Sequence, residues 1–352
     1  MDGFALPSRL TAAATPKTPV RLPVAAMLTA GDAPAEAPSG AAVEIMTGAP
    51  VPRGCDAVVR LEDVERLDGG RAIALREPAS PGDFVRRRGA DFAAGSTILS
   101  EGDRIEPKHL LALAALGFAR VPVRIRPRVA LVATGRELVD VGQKPEPGQI
   151  RNSTRPYLEA MLEQRGCQIV SSSLVGDEPA AFRARLESLL DDDLDLIVTT
   201  GAVSMGARDY VPAQVEALAG EILFHKTATR PGKPVLAARL GHGPLLLGLP
   251  GNPVSTAAAL RFFVEPVLRF LLAQPDETPI RARLSERVEK PRGLRCFFKA
   301  KLELSPEGVR ARCLSGQASF QIMPLLEADA WAVLPEDSDA LEAGTIVEAY
   351  PL

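Results

Sequence analysis

The sequence predicts an α/β fold: a central parallel or mixed sheet with helices on both faces, joined to a β-rich N-terminal domain and a small C-terminal β-barrel or sandwich. Three observations predict it. Across residues 123–274, short apolar runs alternate with amphipathic stretches of helical period, the pattern of a sheet covered on both sides. Residues 1–89 and 275–352 instead carry short runs punctuated by Gly, Pro and Ser, as small β domains do. With 352 residues, 46% of them hydrophobic, the chain holds enough apolar material for several buried cores.

In chain order, residues 6–42 read as loops and short strands rich in Ala, Pro and Thr. The stretches "CDAVVRLEDVE" and "RAIALREP" alternate in polarity around "LDGG", which signals a hairpin. A linking segment, 90–122, follows. Its "IEPKHLLALAALG" predicts a helix, with Pro107 suited to the first turn and Gly117 able to end it. The central domain supplies the strands "RVALVAT", "CQIVSSSLV", "LDLIVTT", "KPVLAARL" and "PLLLGLP". Between them, "NSTRPYLEAMLEQRG" and "EPAAFRARLESLLDD" carry helical periodicity, the first capped at Asn152 or Ser153, and "DYVPAQVEALAG" forms a weaker helix pattern. After the linker "LLAQPDETP", short strands close the chain.

Composition narrows the partners. The 41 basic and 44 acidic residues leave a formal charge of −3, so no global field favours a nucleic acid or an anionic membrane, and any anion site must be local. Cys55, Cys167, Cys296 and Cys313 make no CxxC pair and the three histidines no HExxH, which argues against structural zinc and for reduced thiols in the cytoplasm. The apolar stretch 245–273 contains Asn252, Arg261, Glu265, Arg269 and three prolines, so it reads as a strand, a loop and a buried helix rather than a membrane span. Met1 leads directly into Asp2 with no secretory pattern.

In open α/β sheets, ligands bind beyond the carboxyl ends of the strands, so the loops "TGREL", "VGDEP", "TTGAVSMGARD" and "LPGNP" are expected to converge. The Gly-rich loop serves either as a tight strand-to-helix turn or as a set of N–H groups facing an anion. Glu137, Asp177, Glu178 and Asp209 offer carboxylates, while Lys226, Arg230 and Lys233 offer cations. Carboxylates for a metal beside cations for an oxyanion suit chemistry on a phosphate ester. In the N-terminal domain, prolines and a glycine stiffen the chain around Thr47, and Arg86, Arg87 and Arg88 precede Asp91. No Ser/His/Asp or Cys/His nucleophilic set stands out.

Taken together and in order, "MDGFAL", "EIMTGAPVPRGCDAVV", "VRRRGADF", "VATGREL", "TTGAVSMGARDY", "RPGKPV" and "LPGNPVS" resemble the MoeA/gephyrin family of molybdopterin molybdotransferases over essentially the whole chain. The resemblance implies an enzyme of molybdenum cofactor biosynthesis that inserts molybdate into molybdopterin-AMP and releases AMP with help from Mg2+. It also implies a molybdopterin-binding central domain, a C-terminal β-barrel, a homodimer with the active site between subunits, and a molybdopterin adenylyltransferase as a partner. Carried over motif by motif, Asp2, Thr47, Glu137, Asp177, Asp209 and Lys226 match catalytic positions, with Glu137 and Asp209 as metal ligands and Asp91 as a further match. Gly201, Ser204, Gly206, Arg230, Lys233, Pro250, Pro253 and Ser319 match positions that hold the pterin compound.

The chain departs from the family pattern at three residues: Arg136 replaces an acid, Ala202 replaces a glycine, and Arg230 stands where lysine is common. If the loop needs positive φ at Ala202, its methyl group crowds the backbone. Family chains carry a largely helical segment ahead of the MDG motif, which here opens the sequence; the expectation is that part of the linking domain and its dimer contact is missing. The rival reading is a non-catalytic cofactor-binding paralogue or scaffold.

Overall fold

Six strands build the N-terminal unit, Met1–Ile98, of the computed structural model, which describes residues 1–203, 210–241 and 243–352. These are β1 (Gly3–Leu6), β2 (Val20–Leu28), β3 (Ala42–Ile45), β4 (Ala57–Arg60), β5 (Val64–Leu67) and β6 (Ala72–Leu75), in the order β4-β1-β3-β2-β6-β5. The predicted hairpin forms between β5 and β6, where Gly69 and Gly70 take φ of 67° and 92° in the turn. The run read as one strand, "CDAVVRLEDVE", divides instead. Its first half pairs with β1, and a 3-10 turn at Leu61–Asp63 carries the second half to β6. Phe4, Leu6, Ile73 and Leu75 fill the core.

The second unit, Leu99–Leu352, begins with α1 (Pro107–Ala115). Pro107 occupies its first turn, Glu106 and His109 cap it reciprocally, and Gly117 follows with φ of 81°. The α/β part contains β7 (Arg128–Thr134), β8 (Leu138–Val139), β9 (Ile150–Arg151), α2 (Thr154–Gln164), β10 (Gln168–Val175), α3 (Pro179–Leu189) and β11 (Leu196–Thr200). It continues through α4 (Val211–Ala217), β12 (Glu221–His225), β13 (Thr229–Arg230), β14 (Leu236–Arg239), β15 (Leu245–Leu249), α5 (Pro253–Ala259), a π-helical turn (Leu260–Val264) and α6 (Glu265–Leu271).

The central sheet has the order β10-β7-β11-β15-β14-β12. β10, β7, β11 and β15 are parallel; β14 runs against β15, and β12 against β14. Alternation along β7 separates two cores. Val129 and Leu131 pack with Leu158 and Leu162 of α2 and with Leu268, whereas Ala130 and Val132 pack with Phe182 and Leu186 of α3 and Val215 of α4. Each such buried leucine contributes about 1.5–3 kcal/mol. Asn152 does the capping predicted for α2, its Oδ1 accepting from the Arg155 N–H at 3.1 Å.

The C-terminal part holds β16 (Ile280–Leu284), β17 (Val288–Glu289), β18 (Arg295–Ser305), β19 (Gly308–Cys313), α7 (Met323–Glu327), β20 (Ala330–Leu334), β21 (Ala340–Leu341) and β22 (Ile346–Pro351). β18 pairs with β19, β19 with β16, β16 with β22, β22 with β20, and β20 again with β18, which closes a five-stranded barrel. Its interior is filled largely by small residues, among them Ala282, Ala300, Ala311, Ala332 and Ala349, as a narrow barrel requires. The barrel packs on α5 through Phe297 and Trp331, and Phe262 stacks on Phe297 with ring centroids 3.8 Å apart. No described helix is long and apolar enough to cross a membrane.

Candidate functional site

The N-terminal unit brings together two residues chosen from different motifs. Antiparallel pairing of β1 with β3 sets Gly3 opposite Ile45, which brings Asp2, one residue before Gly3, within reach of Thr47, two residues after Ile45. The Asp2 carboxylate accepts the Thr47 backbone N–H at 2.7 Å and its hydroxyl at 2.9 Å. These two bonds hold the exposed Asp2 carboxyl below the usual carboxylate range, the backbone bond being the larger cause. Glycine between them is a steric requirement, since a Cβ on Gly3 would lie 2.2 Å from the Val59 carbonyl oxygen. Arg86, Arg87, Arg88 and Asp91 are exposed in the same unit.

Strand directions decide where the other loops lie. Because β12 runs with the parallel set, the turns after β7, β10, β11, β12 and β15 all leave one edge of the central sheet. That edge carries Glu137, Asp177, Gly201, Lys226, Arg230, Lys233 and the LPGNP turn. Glu137 follows the second strand of the sheet order and Lys226 the sixth, so their strand ends stand about 19 Å apart at ordinary strand spacing. Carboxylate and cations therefore occupy opposite ends of a long edge rather than one tight cluster.

At the acidic end, Gly135 has φ of 153°, and the Glu137 carboxylate folds back over it. A Cβ on Gly135 would meet Glu137 Oε1 at 2.9 Å. Beside it, the Tyr210 hydroxyl shares a 2.6 Å hydrogen bond with Thr134 Oγ1 and interacts with the Asp177 carboxylate. Burial pushes the Tyr210 phenol upward; the Thr134 bond opposes this, and Asp177 adds to it. Tyr210 thus ties the ends of β7 and β10 to the start of α4, and Phe182 packs against its ring edge-on at 5.5 Å. Tyr210 is a candidate site residue that pattern reading missed, because its partners come from strands far apart in the sequence.

Mid-edge, Gly201 has φ of 94°, and a Cβ there would stand 2.3 Å from the Thr134 carbonyl oxygen. Ala202 takes φ of 53°, so the crowding foreseen for it is real. Ser204, Gly206 and Asp209 lie outside the described residues.

At the basic end, Lys226 has φ of 71° and donates its N–H to the Val235 carbonyl at 2.8 Å. Arg230 and Lys233 are exposed, and Arg230 enters β13, which pairs with Arg295 and Cys296 of the barrel. His225 Nε2 lies 2.9 Å from the Val203 carbonyl, joining this loop to the Gly201 turn. In the LPGNP turn, Pro250 is buried and Pro253 opens α5. Ser319 comes from the barrel to meet it. Its hydroxyl accepts from Asn252 Nδ2 at 3.2 Å and its carbonyl from the Val254 N–H at 3.0 Å, so this first-turn N–H faces protein rather than an anion. All four cysteines are unpaired, and burial pushes Cys167 and Cys313 up to about 12, too high for thiolate chemistry near neutrality.

Three family profiles together match most of the chain: "MoeA N-terminal region (domain I and II)" over residues 1–117, "Probable molybdopterin binding domain" over 130–269, and "MoeA C-terminal region (domain IV)" over 281–352. A molybdopterin molybdenumtransferase of Synechococcus elongatus is 42% identical over 356 residues, covering all of this chain and 87% of that protein. The chain belongs to the MoeA family. A second relative, molybdopterin molybdenumtransferase 2 of Mycobacterium tuberculosis, is 38% identical over 361 residues, covering 100% of this chain and 87% of its own. The crystal structure of a MoeA molybdopterin biosynthesis protein from Pyrococcus horikoshii superposes with a TM-score of 0.81 at 31% identity, covering 100% of this chain and 86% of that one. The β-rich N-terminal region, the central α/β sheet and the small C-terminal barrel of this MoeA-family chain accord with that similarity.

Proposed function

We propose that the chain inserts molybdate into molybdopterin-AMP and releases AMP, with the nucleotide-linked pterin lying along the loop-bearing edge of the central sheet. The observation that carries this reading is that edge itself. An adenylylated pterin is two ring systems joined through a diphosphate, an elongated anion that suits a row of turns with cations at one end and carboxylates at the other. Lys226, Arg230 and Lys233 neutralise the anionic oxygens that lie at their end of the edge, molybdate among them, and Gly201, Pro250, Pro253 and Ser319 shape the surface against which the ligand rests.

Glu137 is a hard oxygen donor, exposed and folded onto the bare Cα of Gly135, which fits Mg2+, an ion commonly held by one or two carboxylates plus substrate phosphates. In this proposal Glu137 and Asp209 hold that ion, which supplies charge neutralisation at the phosphate oxygens. Ser204 and Gly206, in the same sequence motif as Asp209, contact the pterin compound in this reading. Asp177 is oriented by Tyr210. Asp2 and Thr47 form a pre-set acceptor and donor pair that takes part in the reaction. The reading extends to a homodimer in the cytoplasm that receives its substrate from a molybdopterin adenylyltransferase.

Purified protein is incubated with molybdopterin-AMP, molybdate and Mg2+, and AMP and pterin-bound molybdenum are measured. Coupled appearance of both supports transfer. If neither appears under conditions where a MoeA relative turns over, transfer is excluded; binding of the pterin without AMP release marks the non-catalytic paralogue.

A further inference from the structure

Lys299 is completely buried, with 0% of its surface exposed, in the middle of β18. Alternation along that strand turns Cys296, Phe298 and Ala300 into the barrel, while Phe297 packs outside against α5 and Trp331. Lys299 shares the outward face of Phe297, and Trp331 is its cross-strand neighbour. Packing alone would be satisfied there by leucine. An ammonium is almost never fully buried without partners, because it gives up its hydration.

The partners are two backbone carbonyls. Lys299 Nζ donates to Gly316 O at 2.7 Å and to Gln321 O at 3.1 Å. The Gln317 side chain grips the lysine's own backbone, its Oε1 accepting the Lys299 N–H at 2.9 Å and its Nε2 donating to the Lys299 carbonyl at 3.0 Å. Gly316 and Gln321 bracket Ser319, whose hydroxyl and carbonyl meet Asn252 and Val254 at the sheet edge. Burial pushes the Lys299 amine below its ordinary range, the cost of keeping a donor under this loop. Lys290, 6% exposed, makes three comparable bonds, to the carbonyls of Pro291, Leu294 and Ser338, but it closes a turn of the barrel that carries no candidate site residue.

We infer that Lys299 is a positioning residue: its ammonium pulls the carbonyls on either side of Ser319 inward, and so fixes the Ser319 hydroxyl and carbonyl against the LPGNP turn. This rests on the proposed function for its catalytic consequence, but the hold on the loop is a property of the folded protein alone.

The test pairs Lys299→Met with Lys299→Gln, and reads amide hydrogen exchange over residues 250–256 and 316–323 of the full chain. Exchange at least tenfold faster in both segments, with β19 and β22 as protected as in the wild type, is the expected result. Unchanged exchange in those segments, or equal loss of protection across the whole barrel, overturns it. If the methionine variant does not fold, the glutamine variant gives the same reading, since its shorter amide cannot bond both carbonyls.

Kinetics supply the second arm. Ser319→Ala is expected to raise the KM for molybdopterin-AMP severalfold in the wild type and to add nothing in the Lys299→Met background; equal effects in both backgrounds contradict the positioning role. If the wild type itself transfers no molybdenum, the proposed function fails while the exchange result still decides whether Lys299 holds the loop.

Discussion

Asp2 shows how much a single pair of hydrogen bonds sets. Its carboxyl titrates below the ordinary range because the charged form accepts two bonds from Thr47. A depressed folded value means the stabilising contribution is full above the unfolded carboxylate range and is lost as the pH falls through the folded value. In Thr47→Val only the backbone bond remains, so the Asp2 value moves back toward that of a free aspartate, as a carbon-13 NMR titration of the side chain will read. No movement would remove the threonine hydroxyl from the pair. Gly201 and Ala202 provide a second residue-scale contrast. Gly201→Ala forces a Cβ to 2.3 Å from a backbone oxygen and is expected to cost about 3 kcal/mol, the scale of an overpacked core. Ala202→Gly relieves a left-handed alanine and is expected to stabilise by about 1 kcal/mol, visible as a rise in Tm; an unchanged or lower Tm would contradict it. Ala202 was legible as a departure because glycine has one conformational privilege that alanine lacks. Tyr210 was not legible, because its hydroxyl finds Thr134 and Asp177 only after three strands are laid side by side.

Among the elements, the helical stretch that joins the central sheet to the barrel is held by a buried charge network. Arg261, 6% exposed, bonds Glu265 at 3.1 Å, Glu277 at 2.6 Å and the Pro351 carbonyl at 3.1 Å, while Arg165 of the α2 C-terminal turn reaches Glu265 at 2.9 Å. The Arg261 guanidinium also lies 5.3 Å from the centre of the Tyr350 ring. Glu265→Ala leaves two guanidinium groups facing an empty acceptor, and loss of one member of such a network costs about 3–5 kcal/mol. Calorimetry should record that loss, and a change below 1 kcal/mol would show that water replaces the carboxylate, as it does for exposed pairs. Sequence pattern located this stretch as a buried helix from its apolar content, yet gave no reason for its charges. The partners sit 4, 16 and 90 residues away along the chain, beyond any local periodicity. Helix starts were easier to read, since Pro107 and Asn152 act within one turn of their own position. Short strands with turns made a barrel or a sandwich legible, but the pairing order that closes the barrel was not, because it depends on contacts between distant segments.

For the whole molecule, the informative feature is direction. Apolar runs indicate strands but not their sense, and the antiparallel β14 decides that β12 ends on the same edge as the parallel strands. That placement sets Lys226 and the cations after it on the same edge as Glu137 and Asp177, spread along its length. A cavity of about 450 Å³ lies at the opposite edge, lined in part by Asp192, Asp193, Asp195 and Arg239. Its acidic lining disfavours a polyanion, so volume alone is a poor guide to the site. A competing location therefore exists within the same domain. The most direct measurement is a crystal structure of the protein with molybdopterin-AMP. The account predicts ligand density running from the Gly135 and Gly201 turns toward Lys226 and Lys233, with the pterin compound touching the LPGNP turn. Density confined to the opposite edge, or a ligand that leaves both Glu137 and Lys226 untouched, would contradict it.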